Sequence, residues 1–198
     1  LARSGVHENE VQKQSGHVVG LSDVSFSIAK GEIFVVMGLS GSGKSTAIRT
    51  VNKLHEVTHG QVWVDGVDVQ TLEGKSLQAF RREKMGMVFQ HFALFPHRNV
   101  IENVAYGLKV QKVAREEREA AALRALRLVG LEAYAYNATS ELSGGMQQRV
   151  GLARALASDP DILLMDEAFS ALDPLIRRQM QDELMAIQDE VHKTILFI

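Results

Sequence analysis

Gly38-Leu39-Ser40-Gly41-Ser42-Gly43-Lys44-Ser45-Thr46 is the stretch that decides the fold. It fits G-x-x-x-x-G-K-[ST], a phosphate-binding loop. Its flanks agree. Glu32-Ile33-Phe34-Val35-Val36-Met37 is a short apolar run rich in β-branched residues, which predicts a buried strand. Beyond Lys44, Ala47, Ile48, Val51 and Leu54 recur at helical spacing. Strand, glycine loop and helix follow in order. Glycines let the backbone turn its N–H groups inward around a phosphate, and the helix N-terminus adds partial positive charge at the same point. In such a loop Lys44 reaches the β- and γ-phosphates and Ser45 holds Mg²⁺.

The chain has 198 residues, of which 45% are hydrophobic, enough for a substantial core in one domain. Its formal net charge is −2, with no basic stripe and no polybasic run, so neither nucleic acid nor anionic lipid is an expected partner. There are no cysteines, which excludes disulfides, thiol catalysis and cysteine-ligated metal. The longest apolar runs are of strand length, well short of the roughly 20 residues of a membrane span. The opening Leu1-Ala2-Arg3-Ser4-Gly5 has neither an initiator methionine nor an apolar signal-peptide core. The expectation is a chain without a signal peptide, trimmed at its start.

Residues 1–20 are polar, and His7 and His17 read as structural or solvated rather than as metal ligands. Val24-Ser25-Phe26-Ser27-Ile28 alternates and predicts a half-buried strand. Gln61–Val64 and Val67–Val69 flank Asp65-Gly66, a hairpin signal. Ser76 to Glu83 predicts a short helix, and Met85 to Phe89 a buried strand ending at Gln90. From Phe92 to about Ala157 the pattern is helical, with a helix over Arg115–Val129 stopped by Gly130. Ser143 can cap a helix running to about Ala157. Ile162–Met165 is an apolar strand, and Asp173-Pro174 opens a helix with the apolar stripe Ile176, Met180, Leu184, Ile187 and Val191. Thr194 to Ile198 predicts one more strand.

Two further stretches carry chemistry. Asp166 and Glu167 follow the apolar strand, so the first can be aimed at Mg²⁺ beside the loop and the second at a water attacking the γ-phosphate. Leu142-Ser143-Gly144-Gly145-Met146-Gln147-Gln148-Arg149 places two glycines at a helix start, a second anion-binding element. One nucleotide does not need both from the same chain, so this element suits the γ-phosphate held by a second copy.

With these residues in place, the chain resembles the nucleotide-binding subunits of ABC transporters. Gly38–Ser45 is similar to their Walker A motif, Gln90 to the Q-loop, Leu142–Gln148 to the signature, Ile162–Glu167 to the Walker B, and Ser170-Ala171-Leu172-Asp173 to the D-loop. The likeness runs from about residue 21 to 198. Phe89–His97 and Met165–Arg177 further resemble the ATPases of glycine betaine/proline (quaternary amine) importers. The resemblance implies an α/β fold: a P-loop NTPase core of ABC ATPase type over 1–91 and 158–198, with an antiparallel β subdomain, and a helical subdomain over 92–157.

It implies ATP and Mg²⁺ as cofactors. ATP would lie on Gly38, Leu39, Ser40, Gly41, Ser42, Gly43, Lys44, Ser45 and Thr46, with Gln90, Asp166 and Glu167. Ser45, Gln90 and Asp166 would serve Mg²⁺; Lys44, Gln90 and Glu167 are the expected catalytic residues. Ser143, Gly144, Gly145 and Gln147 would serve the nucleotide of a second copy in a head-to-tail dimer. Membrane permease subunits, a solute-binding protein behind them, no nucleic acid, and a peripheral place on the cytoplasmic face of the inner membrane complete the expectation. An importer for another solute such as an amino acid, and a soluble ABC ATPase, are the alternatives. The family's switch histidine would lie beyond Ile198, and His192 precedes that strand and is not its equivalent. The family's adenine-stacking aromatic has no counterpart, since Phe26 and Phe34 read as core strand residues. A chain trimmed at both ends in this way is expected to bind phosphate but turn over poorly.

Overall fold

The computed structural model describes residues 8–90 and 92–198. Its centre is a four-stranded parallel sheet in the order β1-β6-β5-β4, formed by β1 (Ile33–Val35), β4 (Met85–Phe89), β5 (Ile162–Asp166) and β6 (Thr194–Phe197). A two-stranded antiparallel hairpin, β2 (Trp63–Val64) and β3 (Val67–Asp68), stands apart from it. Asp65 and Gly66 take φ values of 48° and 77° at its turn, as a tight two-residue hairpin requires.

Side chains alternate across each strand, and both sheet faces are covered, as parallel sheets require. Helix α3 (Gly74–Lys84) leads into β4, and α5 (Tyr106–Val110) follows α4 (Val100–Val104). Val88, Leu163, Met165 and Ile195 point into one apolar core with α4, α6 (Arg115–Leu128), α7 (Gly144–Leu156) and α8 (Pro174–Val191). Met85, Leu164 and Leu196 point the other way, onto Ile48 of α2 (Lys44–Val51) and Val64 and Val69 of the hairpin region. The predicted stripe of α8 is borne out: Met180, Leu184 and Ile187 are buried, and Ile176 and Val191 pack against them. Asp173 caps α8, accepting from the N–H groups of Leu175 and Ile176 at 3.1 Å each.

The helical region holds together partly through Asn103, which is fully buried. Its Oδ1 accepts from Phe95 N at 2.7 Å, and its Nδ2 lies within bonding distance of the carbonyls of Phe95, Arg98 and Asn99. This one side chain fixes the loop leading into α4.

Several local expectations are corrected. Val24–Ile28 forms no strand, because no neighbouring strand pairs with it among the described residues. Phe26 is therefore exposed rather than core, stacked on Phe34 with centroids 5.1 Å apart. The first sheet strand is three residues long rather than six, and Val35 and Met37 are exposed. The loop helix ends at Val51, so Leu54 lies beyond it and is exposed. A polar helix, α1 (Glu8–Ser15), occupies part of the polar stretch for which the sequence predicted no element. His7 lies outside the described residues.

Candidate nucleotide site

In parallel α/β sheets, ligands bind beyond the carboxyl ends of the strands. Here four such ends converge. Val36 N donates to Phe197 O at 2.9 Å, setting the exit of β1 against that of β6. Met165 faces Phe197, and Ile198 N donates to Met165 O at 3.0 Å. Phe89 faces Asp166, so Gln90 and Glu167 each follow that pair by one residue. The loop of residues 38–43, Gln90, Asp166 and Glu167 thus share one edge of the sheet, as expected from their positions after predicted strands.

The loop is held by local bonds. Ser42 N donates to Leu39 O at 3.2 Å, and Ala47 N donates to Gly43 O at 2.8 Å, starting α2. Gly41 and Gly43 have φ of 80° and 88°, the left-handed region that L side chains disfavour. Gly43 is also hemmed in: a Cβ there would lie 2.4 Å from Gly20 O. Leu39, Ser40, Gly38 and Gly41 are exposed. Lys44 Nζ donates to Gly38 O and Leu39 O at 3.0 and 2.9 Å, which places the ammonium over the loop where phosphate oxygens would compete for it. Ser45 is half-buried, and its hydroxyl has no hydrogen-bond partner among the described residues.

Asp166 is 2% exposed at the end of β5. Both Arg49 Nε, at 2.9 Å, and Arg49 Nη2, at 2.8 Å, lie on its Oδ2. This partner was missed in the sequence, where 117 residues separate the two. Glu167 sits at φ 48°, an uncommon conformation for a residue with a side chain. Its carbonyl is held by Ser170 N at 3.0 Å and Ser170 Oγ at 2.9 Å, so the residue starts a tight turn. Gln90 is exposed just beyond β4.

The donor set fits Mg²⁺. Among the described residues no group of three or more His, Asp or Glu is placed to hold a metal alone. Mg²⁺ characteristically uses one or two carboxylates and fills its octahedron with phosphate oxygens and waters. Asp166, whose Oδ1 has no partner among the described residues, together with the Ser45 hydroxyl and the Gln90 carbonyl, suits that pattern.

Ser143 lies elsewhere, at the N-terminus of α7, its Oγ accepting from Met146 N at 3.3 Å. Gly144 is exposed, and Gly145 abuts Ile176. Gln147 turns back, its Nε2 donating to Thr139 O and Leu142 O at 3.2 and 3.1 Å, so its amide braces the turn before the helix. No hydrogen bond among the described residues joins Ser143–Gln147 to residues 38–46.

A parallel sheet with a glycine loop at one strand exit and an Asp-Glu pair at another defines a P-loop nucleotide-binding protein. Residues 21–170 match the ABC transporter family, and the chain belongs to it. It is 55% identical over 198 residues to the glycine betaine/carnitine transport ATP-binding protein GbuA of Listeria monocytogenes, covering all of this chain and 50% of that protein. It is 56% identical over 194 residues to the glycine betaine/proline betaine transport system ATP-binding protein ProV of Escherichia coli, covering 98% of this chain and 48% of that protein. The chain thus spans about half the length of the curated relatives it matches. Among solved structures, it superposes with a TM-score of 0.79 on the dimeric post-hydrolysis state of the ATP-binding cassette MJ0796 bound to ADP and Pi. Identity there is 37%, over 90% of this chain and 78% of that one.

Proposed function

We propose that this chain is the ATP-binding and hydrolysing part of an ABC importer for an osmoprotectant such as glycine betaine, proline betaine or choline. The observation that carries the reading is the convergence of the glycine loop, Gln90, Asp166 and Glu167 on one sheet edge. The named relatives supply the solute class, since both are ATP-binding proteins of glycine betaine transport.

Residues 38–46 would hold the phosphates, with Lys44 exchanging its two loop carbonyls for β- and γ-phosphate oxygens. Ser45, Gln90 and Asp166 would hold Mg²⁺, which when bound neutralises charge between those phosphates. Glu167 would orient the water and take its proton as the water oxygen bonds to the γ-phosphorus. The bond from that phosphorus to the bridging oxygen then breaks, leaving ADP and phosphate. Ser143, Gly144 and Gly145 would close on the nucleotide of a second copy, in line with the dimeric MJ0796 cassette. Gln147 takes no direct part in this reading, because its amide is engaged within its own turn. Residues 92–157 would form the helical unit carrying that surface.

Among the described residues no helix is long and apolar enough to cross a membrane. Coupling would run through membrane permease subunits served by a solute-binding protein, with this chain peripheral on the cytoplasmic face of the inner membrane, in line with the named relatives being ATP-binding proteins of transport systems.

The test is phosphate release and size-exclusion chromatography with ATP, using the whole protein and its Glu167→Gln variant. The variant keeps the side-chain shape but loses the base, so it should bind ATP, turn over poorly and accumulate as a dimer. A monomer with unchanged turnover refutes the catalytic assignment. Uptake in a deletion strain tests the solute: betaine uptake intact with amino-acid uptake lost would refute the osmoprotectant.

A further inference from the structure

Asp166 is held in an unusual way for a buried carboxylate. Two Arg49 nitrogens converge on one oxygen, Oδ2, rather than spanning both in a fork. Oδ1 has no hydrogen-bond partner among the described residues and is not sealed from solvent. Arg49 lies four residues after Ser45 on α2, so the two side chains share a helix face, and Arg49 reaches the end of β5 at Asp166. The carboxylate side chain is 3% exposed and the arginine 40%. The ion pair is therefore anchored inside, with its outer end in solvent.

We propose that Arg49 is a positioning residue for Mg²⁺ binding. It locks Oδ2 against α2, fixes the rotation of the Asp166 carboxylate and leaves Oδ1 presented beside the Ser45 hydroxyl. The inference rests on the nucleotide-site reading above. Groups that orient a metal ligand commonly matter 10–100-fold in metal affinity.

Electrostatics alone argues the opposite effect, and this makes the idea testable. A guanidinium beside Asp166 repels a divalent cation. If Arg49 were only a counter-charge, removing it would strengthen Mg²⁺ binding, and Arg49→Lys, which keeps the charge, would behave like the native protein. If Arg49 positions the carboxylate, both Arg49→Gln and Arg49→Lys weaken Mg²⁺ binding, because neither can keep the Nε hydrogen bond while packing a second cationic nitrogen against the same oxygen.

The experiment titrates a fluorescent, non-hydrolysable ATP analogue onto the whole protein, once with Mg²⁺ and once with EDTA. The ratio of the two affinities reports the metal's contribution without turnover. The expected result is a fall in that ratio of about tenfold or more in both variants, with metal-free affinity changed less than about twofold. Arg49→Gln leaves a buried carboxylate unpaired and can destabilise the fold, so Arg49→Lys, checked by thermal unfolding, carries the decision. A native ratio in Arg49→Lys, or a raised ratio in Arg49→Gln, overturns the proposal. Absence of any analogue binding by the native protein overturns instead the nucleotide-site reading on which it rests.

Discussion

Gly43→Ala should damage this protein more than Gly41→Ala, although the two glycines stand two residues apart with nearly equal φ, 88° and 80°. Placing an L side chain in the left-handed region costs about 1–2 kcal/mol at either position. Each substitution also stiffens the unfolded chain by a similar amount, so that contribution cancels between them. What differs is the space. A Cβ at residue 41 meets nothing within 4 Å, whereas one at residue 43 lies 2.4 Å from Gly20 O and 2.9 Å from Leu21 Cδ2. The first is a backbone atom, so relief requires the chain at residues 20–21 or the start of α2 to move. Overpacking of this kind costs about 1–3 kcal/mol. At about 2–4 °C per kcal/mol for a chain of this size, Gly43→Ala should melt roughly 2–12 °C below Gly41→Ala. Thermal unfolding followed by circular dichroism measures the difference. It should come with weaker nucleotide binding, since Gly43 O starts α2 by accepting from Ala47 N. Equal melting temperatures would refute the reasoning, because the Gly20 carbonyl would then not limit the loop.

Lys44→Ala should leave the melting temperature nearly unchanged, because among the described residues the side chain bonds only to two carbonyls of its own loop. Binding of a fluorescent ATP analogue should fall about 10–100-fold, as expected for losing one or two charge-assisted bonds; normal affinity would refute the phosphate-site assignment. The hydrogen bond from Lys84 holds the Asp161 carboxyl below its ordinary value of 3.8. Its contribution to stability is therefore complete above that pH and is lost as pH falls through the lowered value. Asp161→Asn should melt earlier than the native protein at neutral pH, with the gap closing in acid; a gap independent of pH would refute this linkage. Arg154→Met frees the carbonyls of Phe92 and Ala93, which Arg154 holds at 3.1 and 2.7 Å. Amide exchange over residues 92–95 should accelerate, and unaltered protection would show that the pair is not a restraint.

The parts of this fold legible in the sequence are those fixed by local rules. The glycine loop, the Asp65-Gly66 hairpin, the Ser143 and Asp173 caps and the stripe of α8 each follow from residues within a turn or two of one another. The errors lie where local rules were not enough. Val24–Ile28 alternates like a strand but has no pairing neighbour among the described residues, and pairing, not alternation, makes a strand. Among the residues of helix α1 whose burial is described only Val11 is buried, and no apolar periodicity could reveal the helix. The site's order along the sheet edge was legible, because motifs ending parallel strands must share that edge. Its support was not. Nothing near Arg49 in the chain points to Asp166, and the four contacts of Asn103 arise from a loop path that only packing decides.

The least local feature is how α7 ties the candidate surface at residues 143–145 to the two loops carrying Gln90 and Glu167. At its first turn, Gly145 rests on Ile176, in the first turn of α8 beyond the turn that Glu167 begins. One turn on, Arg149 pairs with Glu183 of α8. At its last turn, Arg154 grips the carbonyls two and three residues after Gln90. Burial pushes the Arg154 guanidinium below its usual pKa, and no carboxylate among the described residues pairs with it. Those two carbonyls are therefore its compensation for lost water, and moving them away would leave a half-buried charge unsatisfied. Close-packed helices transmit small displacements rather than absorb them. A shift of α7 that moved Ser143 would also have to move Phe92 and Ala93 or break the Arg154 bonds. The physical connection between the candidate surface at residues 143–145 and the loop after Gln90 is thus one helix with a cap at one end and an arginine at the other.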